Sequence, residues 1–235
     1  MKRLTLFFWG ALFLTVTTWS NNNDWANLKR YAEQNKQMET TPEVVFMGNS
    51  ITDFWPTQDP QFFYQNNFTG RGIGGQTSDQ MLARFQQDVI DLKPKAVVIL
   101  AGINDIAENN GPISLDSIFA NIVSMTELAK QNDIKVMLCS VLPCDSLLWR
   151  PQINPTGKVR ELNAMIKDYA AKNSICYVDY YTALAAPNGG LPPEIAPDHC
   201  HPKKQGYKIM ESIVLNSIAQ VLNTEKNKYY YSKEE

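Results

Sequence analysis

Only two histidines occur in the 235 residues, His199 and His201, and both lie in the tetrapeptide Asp198-His199-Cys200-His201. If a histidine moves a proton in this protein, it does so from there. A serine hydroxyl is a poor nucleophile until a base removes its proton. Histidine can be that base when a carboxylate fixes its tautomer and stabilises the imidazolium. Asp198 and His201 are three apart, so in a turn or short helix their side chains can face each other. Ser50 stands in Met47-Gly48-Asn49-Ser50-Ile51-Thr52-Asp53, directly after an apolar run. A turn there exposes Oγ and leaves backbone N–H groups at the start of the next helix. Two more polar blocks follow apolar runs, Arg71-Gly72-Ile73-Gly74-Gly75-Gln76-Thr77-Ser78 and Ala101-Gly102-Ile103-Asn104-Asp105. Backbone N–H of Ser50 and Gly75, with the Asn104 amide, would give a tetrahedral oxyanion three donors. The chemistry these residues fit is acyl transfer through a serine.

Each block alone says little. Gly-Asn-Ser is most simply a turn, and Asn104-Asp105 a turn or helix cap. The Gly72 to Gly75 block lacks both dinucleotide spacing and the Lys-Ser/Thr of a phosphate loop. Two histidines exclude a three-His metal site. His199, Cys200 and His201 are too close together for tetrahedral ligation, and no second ligand cluster is evident. No metal and no organic cofactor are expected. What joins the blocks is their position after successive apolar runs.

Those runs read as buried strands at 44–47, 96–100, 135–140 and 176–180, with a weaker one at 67–71. Helical spacing lies between them. Ser78 is expected to cap a helix over 79–92 with Leu82, Phe85, Val89 and Ile90 on one face. Others run over 115–131 behind Ser114, over 157–172 and over 204–223. The alternation predicts a single α/β domain, a three-layer α/β/α flavodoxin-like fold around a central, mostly parallel five-stranded sheet. Right-handed crossovers then gather the polar blocks at the carboxyl ends of the strands.

Twenty-two basic against 24 acidic residues give a formal charge of −2. That balance provides no basic stripe for nucleic acid. Mean hydropathy is −0.30, so a multi-span membrane protein is excluded. Residues 1–20 read as a signal peptide: Lys2 and Arg3, an apolar run too short to span, then Thr18 and Ser20 at the small-residue positions. The expected organisation is signal peptide 1–20, catalytic domain 21–223 and a polar tail 224–235. The mature chain would be periplasmic or secreted, with no stable membrane insertion. Asn67-Phe68-Thr69 matches a glycosylation triplet, relevant only in a eukaryotic secretory pathway.

An exported chain permits disulfides. Cys139 and Cys176 fall in strands and read as buried thiols. Cys144 and Cys200 fall in loops at the site end, where a bridge between them would tie down the histidine loop. Trp149 and Arg150 lie in the long loop after the fourth strand, as surface residues or as a wall for a sugar ring or an anionic group. Trp55 reads as packing.

In order and spacing, Gly48-Asn49-Ser50-Ile51, Gly74-Gly75-Gln76-Thr77, Gly102-Ile103-Asn104-Asp105 and Asp198-His199-Cys200-His201 resemble the four blocks of the SGNH hydrolases, or GDSL esterase/lipase superfamily. The details Ile51-Thr52-Asp53-Phe54-Trp55 and Gly74-Gly75-Gln76-Thr77 are most similar to the branch of platelet-activating-factor acetylhydrolase catalytic subunits and bacterial acetylesterases. The resemblance runs from about Val44 to Tyr207. It implies Ser50 as nucleophile, His201 as base, Asp198 as orienting acid, and Ser50, Gly75 and Asn104 as oxyanion hole. The motif favours His201 over His199, which is left as a loop residue near the pocket rim. One departure is Asn49, where the family carries Asp. Asn can still brace the turn by hydrogen bonds but removes a negative charge beside Ser50. The expectation is a serine esterase acting on a short-chain, acetyl ester of a carbohydrate or similar small molecule. A lysophospholipid or thioester substrate, acyl transfer to an acceptor sugar, or a non-catalytic glycan-binding module are the other readings. The intact Ser50, His201, Asp198 and Asn104 argue against the last.

Overall fold

The computed structural model describes residues 24–224. The signal peptide expected at 1–20 lies outside the described residues, as does all but the first residue of the tail. Five strands, β1 (Val44–Gly48), β2 (Phe68–Gly72), β3 (Ala96–Leu100), β4 (Lys135–Cys139) and β5 (Cys176–Val178), form one sheet in the order β2-β1-β3-β4-β5. Every neighbouring pair is parallel. β1 and β3 read Val-Val-Phe-Met-Gly and Ala-Val-Val-Ile-Leu and are buried at every position. Unbroken apolar runs form where a parallel strand is covered on both faces.

The helices are α1 (Lys29–Lys36), α2 (Ser50–Gln58), α3 (Pro60–Gln65), α4 (Ser78–Asp88), α5 (Ile103–Ile106), α6 (Leu115–Gln131), α7 (Thr156–Lys172), α8 (Tyr180–Leu184) and α9 (Lys204–Leu222). They pack as two layers. In one, α1 meets α4, α4 meets α6 and α6 meets α7; in the other, α2 meets α3 and α9, and α8 meets α9. Among the described residues no helix is long and apolar enough to cross a membrane. The chain leaves β1 toward one layer and β3 toward the other. A ligand crevice in such sheets opens beyond the strand ends where that reversal falls, and Ser50 and Asn104 stand there.

Several expected boundaries shift for local reasons. Thr77, not Ser78, caps α4, through a capping box with Gln80. Ser78 is committed elsewhere, as described below. The helix expected over 79–92 ends at Asp88. Pro94 bars a helical Lys93, and the chain closes instead with a 3₁₀ turn, Ile90–Leu92, and a left-handed Lys93. β5 stops at Val178 because Asp179 caps α8, its Oδ1 accepting from Thr182 N–H at 3.0 Å.

Trp55 does pack. It stacks on Phe62 at 5.4 Å and meets Phe46 edge-on at 5.5 Å, with Phe63 beside both. Its indole N–H donates to Glu211 of α9. Under α2 this aromatic block fixes the helix that begins with Ser50. Edge-on and stacked pairs each add roughly 0.5–1.5 kcal/mol beyond simple burial.

Candidate active site

Ser50 is the first residue of α2, and Asn49 is its cap: the Asn49 Oδ1 accepts from Ile51 N–H at 3.1 Å. The residue that departs from the family pattern therefore still braces the turn. Ser50 Oγ lies 2.8 Å from His201 Nε2, and His201 Nδ1 lies 2.7 Å from Asp198 Oδ2. The other Asp198 oxygen accepts backbone N–H from His201 at 2.8 Å and Cys200 at 3.1 Å. Partial burial pushes the Asp198 carboxyl up, but these hydrogen bonds, led by His201, outweigh it and hold the group below its ordinary value. An ionised Asp198 on Nδ1 fixes the tautomer that leaves Nε2 free to take the serine proton.

Ser50, Gly75, Asn104 and His201 share one cleft of about 290 Å³ with Phe54, Gly74, Asn109 and Trp149. Gly75 takes a left-handed φ of 77°, open to glycine without strain. Gly102 has φ 124°, and a Cβ there would lie 2.6 Å from Leu162 Cδ2, so only glycine lets α5 start so close to α7. One Asn104 amide N–H donates to Gln76 O at 2.9 Å, which pins the glycine loop and aims the side chain. Gly74 N–H donates to Asp53 at 3.1 Å, tying the same loop to α2.

Beneath this loop lies a buried polar brace. Asp105 accepts Ser78 N–H at 2.9 Å and the Ser78 hydroxyl at 2.6 Å, and Asn121 donates to Ser78 Oγ at 2.9 Å. Burial raises the Asp105 carboxyl to about 6 against the pull of these bonds. Arg84, fully buried, donates to Gln76 at 2.6 Å, Asp88 at 3.0 Å and the Gly48 carbonyl at 3.0 Å. The end of β1 and the start of α4 are thus joined by one guanidinium. The expectation of a turn or cap at Asn104-Asp105 caught the local geometry but not this brace, whose partners lie 27 and 36 residues apart. No periodic pattern signals such pairs.

Trp149 lines the cleft, its ring centroid 6.2 Å from that of His201, with its indole N–H on Asn109 Oδ1 at 2.9 Å. Phe54, half-exposed, faces His201 from the other side at 5.4 Å. It lies one helical turn after Ser50, a spacing that could have singled it out. Arg150 does not reach the cleft; its guanidinium points to the Glu108 carbonyl at 3.5 Å. Nor does His199. It sits at φ 64°, which turns its ring onto Asp145 at 3.1 Å, away from Ser50. Cys144 and Cys200, the pair whose bridge the sequence allows, come together in the same region. All four cysteines are free thiols. Cys144 and Cys200 are buried against each other, and their mutual hydrogen bond and burial push the Cys200 thiol well up. Among the described residues no group of three His, Cys, Asp or Glu is arranged to hold a metal.

Over residues 46–209 the sequence matches the GDSL-like lipase/acylhydrolase family. The chain belongs to that family. Its domain is that of an ester hydrolase, and solved relatives share the whole fold. A candidate acylhydrolase from Bacteroides fragilis is 48% identical, with 85% of this chain and 99% of that one covered at a TM-score of 0.82. A GDSL-like lipase from Bacteroides thetaiotaomicron is 46% identical, covering 84% and 99%, also at 0.82. An uncharacterised lipoprotein of Bacillus subtilis is 39% identical over 75 residues; that stretch spans 31% of each chain.

Proposed function

We propose that this GDSL-family hydrolase is an exported serine esterase that removes a short acyl group, acetyl foremost, from a carbohydrate. The observation that carries the mechanism is the continuous relay from Ser50 Oγ to His201 at 2.8 Å and on to Asp198 at 2.7 Å. Ser50 attacks the ester carbonyl while His201 Nε2 accepts its proton. The carbonyl oxygen becomes an oxyanion facing the N–H groups of Ser50 and Gly75 and the Asn104 amide. His201, held as imidazolium by Asp198, then protonates the departing alcohol. Water attacks the acyl-enzyme, His201 takes its proton, and the acid leaves with Ser50 restored.

The short acyl group rests on the resemblance of Ile51-Thr52-Asp53-Phe54-Trp55 and Gly74-Gly75-Gln76-Thr77 to bacterial acetylesterases, and the cleft of about 290 Å³ between Phe54 and Trp149 has room for it. Export is favoured by the basic-then-apolar start of the sequence and by a relative named as a lipoprotein. Neither Trp149 nor Phe54 brings a charge to the cleft, which suits a neutral ester.

The test is hydrolysis of p-nitrophenyl acetate, butyrate and octanoate by the wild type and Ser50→Ala. We expect acetate to be preferred and Ser50→Ala to lose roughly 10⁴-fold or more of kcat with its melting temperature held. Equal rates in the two proteins would refute the nucleophile. Preference for octanoate would replace acetyl by a lipid-like acyl group.

A further inference from the structure

A second cleft of about 260 Å³ adjoins the first and shares Gly74, Gly75 and Asn109 with it. Its far wall is Trp25, with Asn27, Gln80 and Asn110 around it. Trp25 is 45% exposed. It is nonetheless held in place. Gln80 Nε2 donates to the Trp25 carbonyl at 2.8 Å, and Gln76 Nε2 to the Ala26 carbonyl at 2.7 Å. Asp24 secures the next turn, accepting Leu28 N–H at 2.7 Å and Lys29 N–H at 2.9 Å. The same two glutamines belong to the capping box of α4 and the Arg84 brace, so the Trp25 segment is fastened to the scaffold that carries the glycine loop.

The polar groups here are all neutral amides. The Asn27 side-chain amide and the Trp25 indole N–H have no hydrogen-bond partner among the described residues, and Asn110 uses one amide N–H on Asp79 at 3.1 Å, leaving its carbonyl oxygen. Amides offer donors and acceptors together, which suits vicinal hydroxyls rather than a phosphate or carboxylate. An aromatic face beside them suits the C–H face of a sugar ring. Among the described residues no lysine or arginine lines this cleft, so an anionic ligand would meet no counter-charge there.

We propose that the Trp25 cleft is a subsite for a neutral sugar unit adjacent to the one whose ester lies at Ser50. This rests on the carbohydrate-ester reading above and extends it to an oligosaccharide. The chain of the substrate would cross the rim made by Gly74, Gly75 and Asn109. Asn109 then stands between the two units, donating to Gly75 O at 3.1 Å and accepting from Trp149.

The experiment compares acetylated xylotetraose and acetylated mannotetraose with p-nitrophenyl acetate, in wild type, Trp25→Ala and Trp25→Phe. The ratio of tetrasaccharide to p-nitrophenyl acetate kcat/KM is expected to fall about ten-fold in Trp25→Ala, through KM, and to recover partly in Trp25→Phe. An unchanged ratio overturns the subsite. A parallel titration of Ser50→Ala with unacetylated xylotetraose and mannotetraose reads binding without chemistry. Binding that is lost on adding Trp25→Ala supports the subsite even if the nucleophile assignment fails. If neither tetraose binds and neither acetylated form is cleaved while p-nitrophenyl acetate is, the subsite falls and the esterase stands.

Discussion

The two halves of the candidate site are built differently. Ser50, the glycine loop and Asn104 stand on strand ends and helix starts locked by buried polar groups: Ser78 is fully buried, Asp105 and Asn104 nearly so. His201 and Asp198 stand on an irregular loop, and the Asp198 side chain is 43% exposed. That loop is fixed mainly by its own backbone, with Lys203 N–H on Ile195 O at 2.8 Å and His199 N–H on Ala196 O at 2.9 Å. On the proposed mechanism, the half that would meet developing charge is held by buried groups, and the half that would pass protons is reachable by water. Pre-organised donors lose their value if they must reorient during reaction. A base that must exchange protons gains from access.

Asp198→Asn probes the loop half and should have the largest effect on rate of the variants that test this contrast. We expect a loss of about 10³- to 10⁴-fold in kcat on p-nitrophenyl acetate, with the melting temperature nearly unchanged. A melting temperature lowered as far as in a core variant would mean that the loop is structural and the contrast false. Asp105→Ala probes the other half. It strands Ser78 N–H and its hydroxyl in the interior, and should cost about 2–3 kcal/mol in urea unfolding together with activity. Asp105→Asn keeps an acceptor and should cost clearly less. Equal losses in the two would show that charge, not the acceptor, holds the brace.

The smallest effect is expected where α9 meets α2 beneath the site, at Glu211. Burial, and then the nearby Asp59 charge, raise its carboxyl to about 7 against the bonds from Trp55 and Lys208. An ordinary glutamate titrates near 4.5. Between those values the unfolded chain ionises first, so stability falls as pH rises from about 4.5 to 7 and the cost is complete above 7. Glu211→Gln should flatten that slope, which is on the order of 1–2 kcal/mol between pH 5 and 7.5. A parallel pair of stability curves would remove Glu211 as the cause.

What the sequence discloses follows the same division. β1 and β3 were legible because burial on both faces leaves an unbroken apolar run. The long helices α6, α7 and α9 were legible because one face must repeat every three or four residues. α2 was not, since Pro56 and a mix of buried Ser50, Ile51, Thr52 and Trp55 leave no stripe. The site blocks were readable as an ordered set, whereas Arg84 and Asp105 hold that set together through partners far along the chain. Trp25 carried no signal, because its place depends on Gln76 and Gln80 reaching back some fifty residues.

The order of the sheet also bears on how the molecule comes into being. β1, which delivers Ser50, lies between β2 and β3, pairing Val44 with Phe68 and with Ala96. Parallel pairing of that kind requires long loops to close before any contact rewards them, which slows folding. Whether the chain emerges from the ribosome or from an export channel amino end first, the strand with the serine appears before the third strand that encloses it. A nascent or truncated chain ending before residue 96 therefore presents β1 with one open edge, and the site cannot form on it.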